Sequence, residues 1–209
     1  MTGEVTLEID GGFVKAKEGM TILEAAKLAG IEIPTLCHHE GMEPYGACRI
    51  CVVEIERHGR VRTVASCCYP VEDGLRVRTR TPKINRIRKN ILELAAITGG
   101  ADVGGIVNGL AYAYNADLSR FSSTTSVKPT NCILCGLCVR RCEESQRDNA
   151  IDFVGRGTTR CVAFIPGKEG ACGTCSSCYG LCPTGRVSSV GPDPPFPSVS
   201  DILAGRKKV

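Results

Sequence analysis

Two cysteine runs with one spacing constrain this chain more than any other feature. NCILCGLCVRRCEE (131–144) places Cys132, Cys135, Cys138 and Cys142 with gaps of two, two and three residues. Forty residues on, ACGTCSSCYGLCPTG repeats the spacing with Cys172, Cys175, Cys178 and Cys182. Pro183 follows the last cysteine of the second run, where the first run has Glu143. Fourteen cysteines in 209 residues fall below the density of a short secreted disulfide scaffold. The opening MTGEVTLEID alternates and is acidic, unlike a secretory leader. No apolar run reaches the length of a membrane span. The expectation is a cytoplasmic protein, where thiols stay reduced and clustered cysteines read as metal ligands.

The two-two-three spacing is that of chains carrying two [4Fe–4S] clusters, in which the fourth cysteine of each run ligates the other cluster. The expected sets are therefore Cys132, Cys135, Cys138 with Cys182, and Cys172, Cys175, Cys178 with Cys142. The first three thiolates ring one cube on a loop, and the fourth is expected to open a helix aimed at the other cube. Two zinc ribbons are the competing reading.

A third constellation lies upstream. In TLCHHEGMEPYGACRICVV, Cys37, Cys48 and Cys51 are separated by ten and two residues, and ASCCYPV follows after fifteen more. A loop wrapping a [2Fe–2S] cluster, with a fourth thiolate from a distant strand end, fits this pattern. Gly41 and Gly46 suit a loop whose amides approach sulfur closely. A structural zinc site is the alternative, although zinc prefers two close pairs. Neighbouring side chains on a strand face opposite ways, so only one of Cys67 and Cys68 is expected to serve. A two-histidine iron site at His38 and His39 is unnecessary where four thiolates are at hand. Cys68 and Cys161 are left over as spare thiols.

Around these sites the pattern is α+β. VTLEI, a Gly-Gly turn and FVKAK predict a hairpin. Thr21 and Glu24 form a capping box for a helix closed by Gly30. CVVEIERHGRVRTVASC predicts two strands about His58-Gly59, and GLRVRT a last short strand. These elements make residues 1–80 a β-grasp unit. Thr81 and Pro82 open a helix with Ile84, Ile87, Ile91 and Leu94 on its apolar face. The glycine-rich 97–109 is a turn before a second helix, IVNGLAYAYNADLSRF. It follows a helix and lacks the P-loop lysine, so it is no nucleotide fingerprint. The expected division is 1–80, a helical segment 81–127, a second cysteine-rich unit 128–190, and a Pro-rich tail 191–209 that is either disordered or a docking arm.

The side-chain charge is +4. An oxidised Cys-ligated centre carries roughly −2 overall, so three centres would outweigh it. The basic stretch RVRTRTPKINRIRKN (76–90) is expected to be a solvated face, with subunit docking as the alternative. It has no aromatics for base stacking, so no nucleic-acid partner is expected.

PTLCHHEGMEPYGACRICVVEI, SCCYPVEDGLRV, NCILCGLCVRRCEE, AIDFVGRG and CPTG together resemble one family over residues 1 to 187. It is the iron–sulfur module shared by the large complex I iron–sulfur subunit, NAD(P)-coupled hydrogenase subunits and NAD-linked formate dehydrogenases. The resemblance implies Cys67 as the fourth [2Fe–2S] ligand, because the family's ligand is followed by two residues and a proline, here Pro70. It implies one [2Fe–2S] and two [4Fe–4S] clusters, and a hetero-oligomer. The partners implied are a flavin/NAD(P)-binding subunit and a catalytic hydrogenase or, second, formate dehydrogenase subunit, with ferredoxin joining in a bifurcating complex. A free-standing soluble carrier and a zinc-stabilised interaction protein are the other readings. Members usually place a His-and-three-Cys site between the two units, whereas residues 81–131 hold neither His nor Cys. Longer members continue into a catalytic domain, and no flavin motif or substrate pocket is read here.

Overall fold

The computed structural model describes residues 3–101, 104–124, 127, 129–145, 149–172, 175–187 and 196–204. Packing divides the chain into two compact units, Met1–Ile91 and Leu92–Val209.

In the first unit, β1 (Glu4–Ile9) and β2 (Gly12–Lys17) form an antiparallel hairpin. Asp10 and Gly11 both take positive φ, 50° and 88°, at its turn. Helix α1 (Ile22–Leu28) starts on the expected capping box: Glu24 N–H donates to Thr21 Oγ1, and Thr21 N–H donates to the Glu24 carboxylate. Strands β3 (Val52–Arg57) and β4 (Arg60–Ala65) pair around His58-Gly59, and β5 (Arg76–Arg78) completes the sheet. The order is β2-β1-β5-β3-β4, with β5 parallel to β1 and antiparallel to β3. Leu7, Ile9, Val53, Ile55 and Val77 from the sheet pack with Ile22, Ala25 and Ala26 of α1 as one core.

Helix α2 (Pro82–Gly99) begins as expected, with Ile84 N–H donating to Thr81 Oγ1. Its buried face differs from the predicted one. Leu94 is 53 % exposed, while Arg88 is 1 % exposed between Ile84 and Leu92. Arg88 Nε donates to Ile50 O at 3.1 Å and Nη2 to Val52 O at 2.9 Å. One member of the basic stretch is thus a buried brace. Arg76, Arg78 and Lys83 pair with Glu8, Glu56 and Glu54, so much of the rest is a charge-matched surface.

The second unit has shorter elements. After the glycine turn, α3 (Gly105–Ala113) ends sooner than expected, with Asn115 at φ 50°. Helix α4 (Leu137–Glu144) follows Gly136 at φ 80°, and β6 (Ile151–Val154) pairs antiparallel with β7 (Cys161–Phe164). The described part of the tail packs within this unit. Phe196 is 2 % exposed and meets the Phe164 ring edge-on at 5.8 Å. Phe164 N–H donates to Pro197 O, and Ser198 caps the short α5 (Val199–Leu203). Residues 188–195 and 205–209 lie outside the described residues. Among the described residues no helix is long and apolar enough to cross a membrane.

Candidate metal centres

Before β3 the chain runs through a long loop carrying Cys37 and Cys48, and Cys51 lies at its end. Cys48 N–H donates to Cys37 Sγ at 3.4 Å. The Cys51 and Cys67 sulfurs are 3.4 Å apart. The hydrogen bond with Cys67 draws Cys51 down to about 6, while the same contact and then burial push Cys67 up. Cys48 is pushed up first by its hydrogen bond with Cys37 and then by burial, and the Cys37 charge also acts on Cys51. All four thiols sit in one neighbourhood, and Cys37, Cys51 and Cys67 are each 1 % exposed.

The loop is held from two sides. Arg88 ties down the carbonyls flanking Cys51. Ser66 Oγ donates to Cys51 O at 2.8 Å. Of the two glycines expected to permit close approach, Gly46 does so: at φ 65°, a Cβ there would lie 2.8 Å from Cys68 Sγ. Gly41 has no such crowding, and its N–H donates to His39 Nδ1.

Cys67 and Cys68 do not lie on a strand, so alternation of faces does not separate them. Strand β4 ends at Ala65, and residues 66–68 form a turn in which Ala65 O accepts from both Cys68 N–H and Tyr69 N–H. The two sulfurs lie 3.5 Å apart, Cys67 buried and Cys68 exposed.

In the second unit Cys132, Cys135, Cys138 and Cys182 line one pocket, with Phe196 on its apolar wall. Leu134 N–H donates to Cys132 Sγ at 3.4 Å, and Thr184 Oγ1 lies 3.2 Å from Cys182 Sγ. Burial pushes the Cys132 thiol up, and Arg186, anchored on Thr130 O, draws it back. Cys172, Cys175, Cys178 and Cys142 form the other neighbourhood. Burial and then Cys172 push Cys178 up to about 11, with Cys142 and Cys175 adding to it. Cys172 is raised by burial first and by Cys142 next. Cys138 is raised by burial, by its own pocket neighbours Cys135, Cys132 and Cys182, and by Cys178. The expected helix at the fourth cysteine is displaced: α4 already contains Cys138, and Cys142 follows one turn later on the same helix.

Four thiols per neighbourhood, backbone amides aimed at sulfur and restricted solvent form a donor set that suits Cys-ligated iron–sulfur clusters. Among the described residues no three His, Cys, Asp or Glu side chains gather at the spacing of a single metal ion. Cys161 is a further buried thiol, on β7, raised by burial and drawn back by Arg186. Residues 81–131 bring no thiol or imidazole. Buried there instead is Glu93, whose carboxylate accepts from Arg120 Nη1 at 2.6 Å and from Asp117 N–H at 3.2 Å. Sequence reasoning gave no site role to Arg88, read as part of a basic surface, to Thr184, read only within CPTG, or to Arg186.

Residues 2–82 match the model of the 2Fe-2S iron-sulfur cluster binding domain, to which the first unit therefore belongs. NADPH-Fe(3+) oxidoreductase subunit alpha of Geobacter sulfurreducens is 37% identical over 204 residues, covering 88% of this chain and 24% of that protein. The NADH-ubiquinone oxidoreductase 75 kDa subunit of Reclinomonas americana is 32% identical over 204 residues, covering 88% and 29%. This chain thus spans only about a quarter of these curated relatives. Among solved structures, a chain of an NAD+-reducing [NiFe]-hydrogenase in its H2-reduced state superposes with a TM-score of 0.65 at 28% identity, covering 93% of this chain and 86% of that one.

Proposed function

Since this chain belongs to the iron–sulfur subunit family that includes NADPH-Fe(3+) oxidoreductase subunit alpha and the NADH-ubiquinone oxidoreductase 75 kDa subunit, we propose that it conducts electrons between a flavin/NAD(P)-binding subunit and a separate catalytic subunit. A hydrogenase is the favoured catalytic partner, because the structural neighbour is part of an NAD+-reducing hydrogenase. In this reading the first unit is a β-grasp ferredoxin domain whose Cys37, Cys48, Cys51 and Cys67 hold a [2Fe–2S] cluster. The second is a two-[4Fe–4S] domain with ligands Cys132, Cys135, Cys138, Cys182 and Cys172, Cys175, Cys178, Cys142. Bound clusters supply one-electron storage at potentials set by their surroundings.

The chain's own residues do the rest. Leu134 N–H offers a hydrogen bond to ligand sulfur, and such a donor stabilises added negative charge. Arg186 places a cation beside Cys132. The apolar wall around Phe196 limits water at the same pocket. The observation that best supports the reading is the sorting of the two runs into two mixed neighbourhoods, each taking its fourth thiol from the other run.

The test is anaerobic capture of the tagged chain from its native cell at low salt, followed by addition of NADH or NADPH. Co-purification of a flavoprotein, with bleaching of cluster absorbance by the nucleotide, is the expected result. A chain that emerges alone and is bleached only by dithionite would count for a free-standing carrier.

A further inference from the structure

The end of β4 presents two thiols where a single ligand position needs one. We propose that Cys68 is a second, solvent-facing ligand for the position assigned to Cys67, so that the [2Fe–2S] site has five cysteines and uses four at a time. The inference rests on the cluster reading above.

Three observations carry it. The Cys67 and Cys68 sulfurs are 3.5 Å apart, close enough for either to reach one iron coordination position with a small rotation. The backbone permits this, because Ala65 O accepts from Cys68 N–H and Tyr69 N–H in a helix-like turn. In such a turn consecutive side chains are separated by about 100°, whereas on a strand they point to opposite faces. Finally, Cys68 Sγ lies on the ligand loop itself. Gly46, two residues before Cys48, approaches it so closely that a Cβ would sit 2.8 Å away. Cys68 is exposed and Cys67 buried, so the two positions differ in access to solvent.

The exchange is redox-neutral. The Cys68 thiol releases one proton to water and its sulfur bonds to iron. The Cys67–iron bond breaks, and the Cys67 thiolate takes up one proton. Charge and iron oxidation state are unchanged, while the ligand moves from a buried to a wet sulfur. The site thereby tolerates chemical loss of Cys67, and it has two arrangements of different solvent exposure.

The test uses the full chain, anaerobically loaded, as Cys67→Ser, Cys68→Ser and the double variant. Iron, acid-labile sulfide and the paramagnetic resonance of the reduced binuclear cluster are measured. Cys68→Ser should match the parent. Cys67→Ser should keep most of its binuclear signal with shifted g-values, and the double variant should lose about two irons. Cys67→Ser losing as much as the double variant overturns the proposal and leaves the Cys67 assignment standing. Loss of the signal in Cys68→Ser, with Cys67→Ser unaffected, overturns the assignment itself. Alkylation followed by mass spectrometry gives a second readout in any variant that folds poorly. A thiol bound to iron reacts slowly, so Cys68 should be labelled about tenfold more slowly in Cys67→Ser than in the parent. Equal labelling overturns the exchange.

Discussion

Among the described residues the first unit buries eighteen side chains in one core, of which only Cys51 and Cys67 are thiols. The second unit's cysteine-flanked core has five buried members, Ile151, Val162, Phe164, Val187 and Phe196. Against it pack Cys138, Cys142, Cys172, Cys178 and Cys182. The first unit is a sheet and helix that would bury apolar surface with or without metal. In the second, the thiols occupy much of the volume that apolar side chains fill elsewhere. The lesson is that one ligand chemistry sits in two energetic settings. On the proposed ligand sets, the cluster of the first unit would be a guest in a standing fold, while those of the second would be part of what makes the fold compact.

Removing iron should break this symmetry most visibly. Anaerobic chelation is expected to abolish amide-exchange protection in α4, β6 and β7, while β1, β3 and β5 keep theirs. Loss of protection in the first sheet before the second unit would reverse the comparison.

The next largest effect concerns shared ligands. With crossed ligation, Cys142→Ala removes about four irons, and adding Cys175→Ala removes no more, because both belong to one cube. Adding Cys135→Ala instead should remove about eight in total. The opposite pattern would mean that each run holds its own cluster and that the second unit is two independent halves.

A smaller effect sharpens the first half of the comparison. Arg88→Met removes two hydrogen bonds from a buried cation to the carbonyls beside Cys51. Hydrogen bonds to charged groups contribute about 1.5–3 kcal/mol each, offset here by relief of desolvation, so a loss of about 3 kcal/mol is expected. Denaturant unfolding of the full chain, followed by a probe in the first sheet, measures it. An unchanged midpoint would mean that Arg88 is not a brace.

What could be read from the sequence was local. The hairpin turn at His58-Gly59, the Thr21–Glu24 capping box and the Thr81 cap stand where they were expected, because their partners lie within a few residues, while the first turn sits one residue before the Gly-Gly pair, at Asp10-Gly11. What could not be read was tertiary. Hydropathy assigns arginine to the surface, so the face of α2 was rotated toward Leu94 and away from Arg88, whose carbonyl partners are 36 and 38 residues distant. Strand alternation does not separate Cys67 from Cys68, because β4 ends at Ala65. The equal spacing of the two runs hid unequal backbones: Cys142 lies within α4, while Cys182 follows a series of turns. The Pro-rich tail gave no periodic signal, yet Phe196 finds Phe164 across 32 residues of sequence.

The most direct test of the whole account is the metal content of the anaerobically purified chain. One binuclear and two tetranuclear clusters predict about ten irons and about ten acid-labile sulfides per chain, with no stoichiometric zinc. A value near fourteen irons would mean a further cluster and a wrong reading of residues 81–131. Zinc in place of iron, with no labile sulfide, would contradict the electron-transfer account at its base.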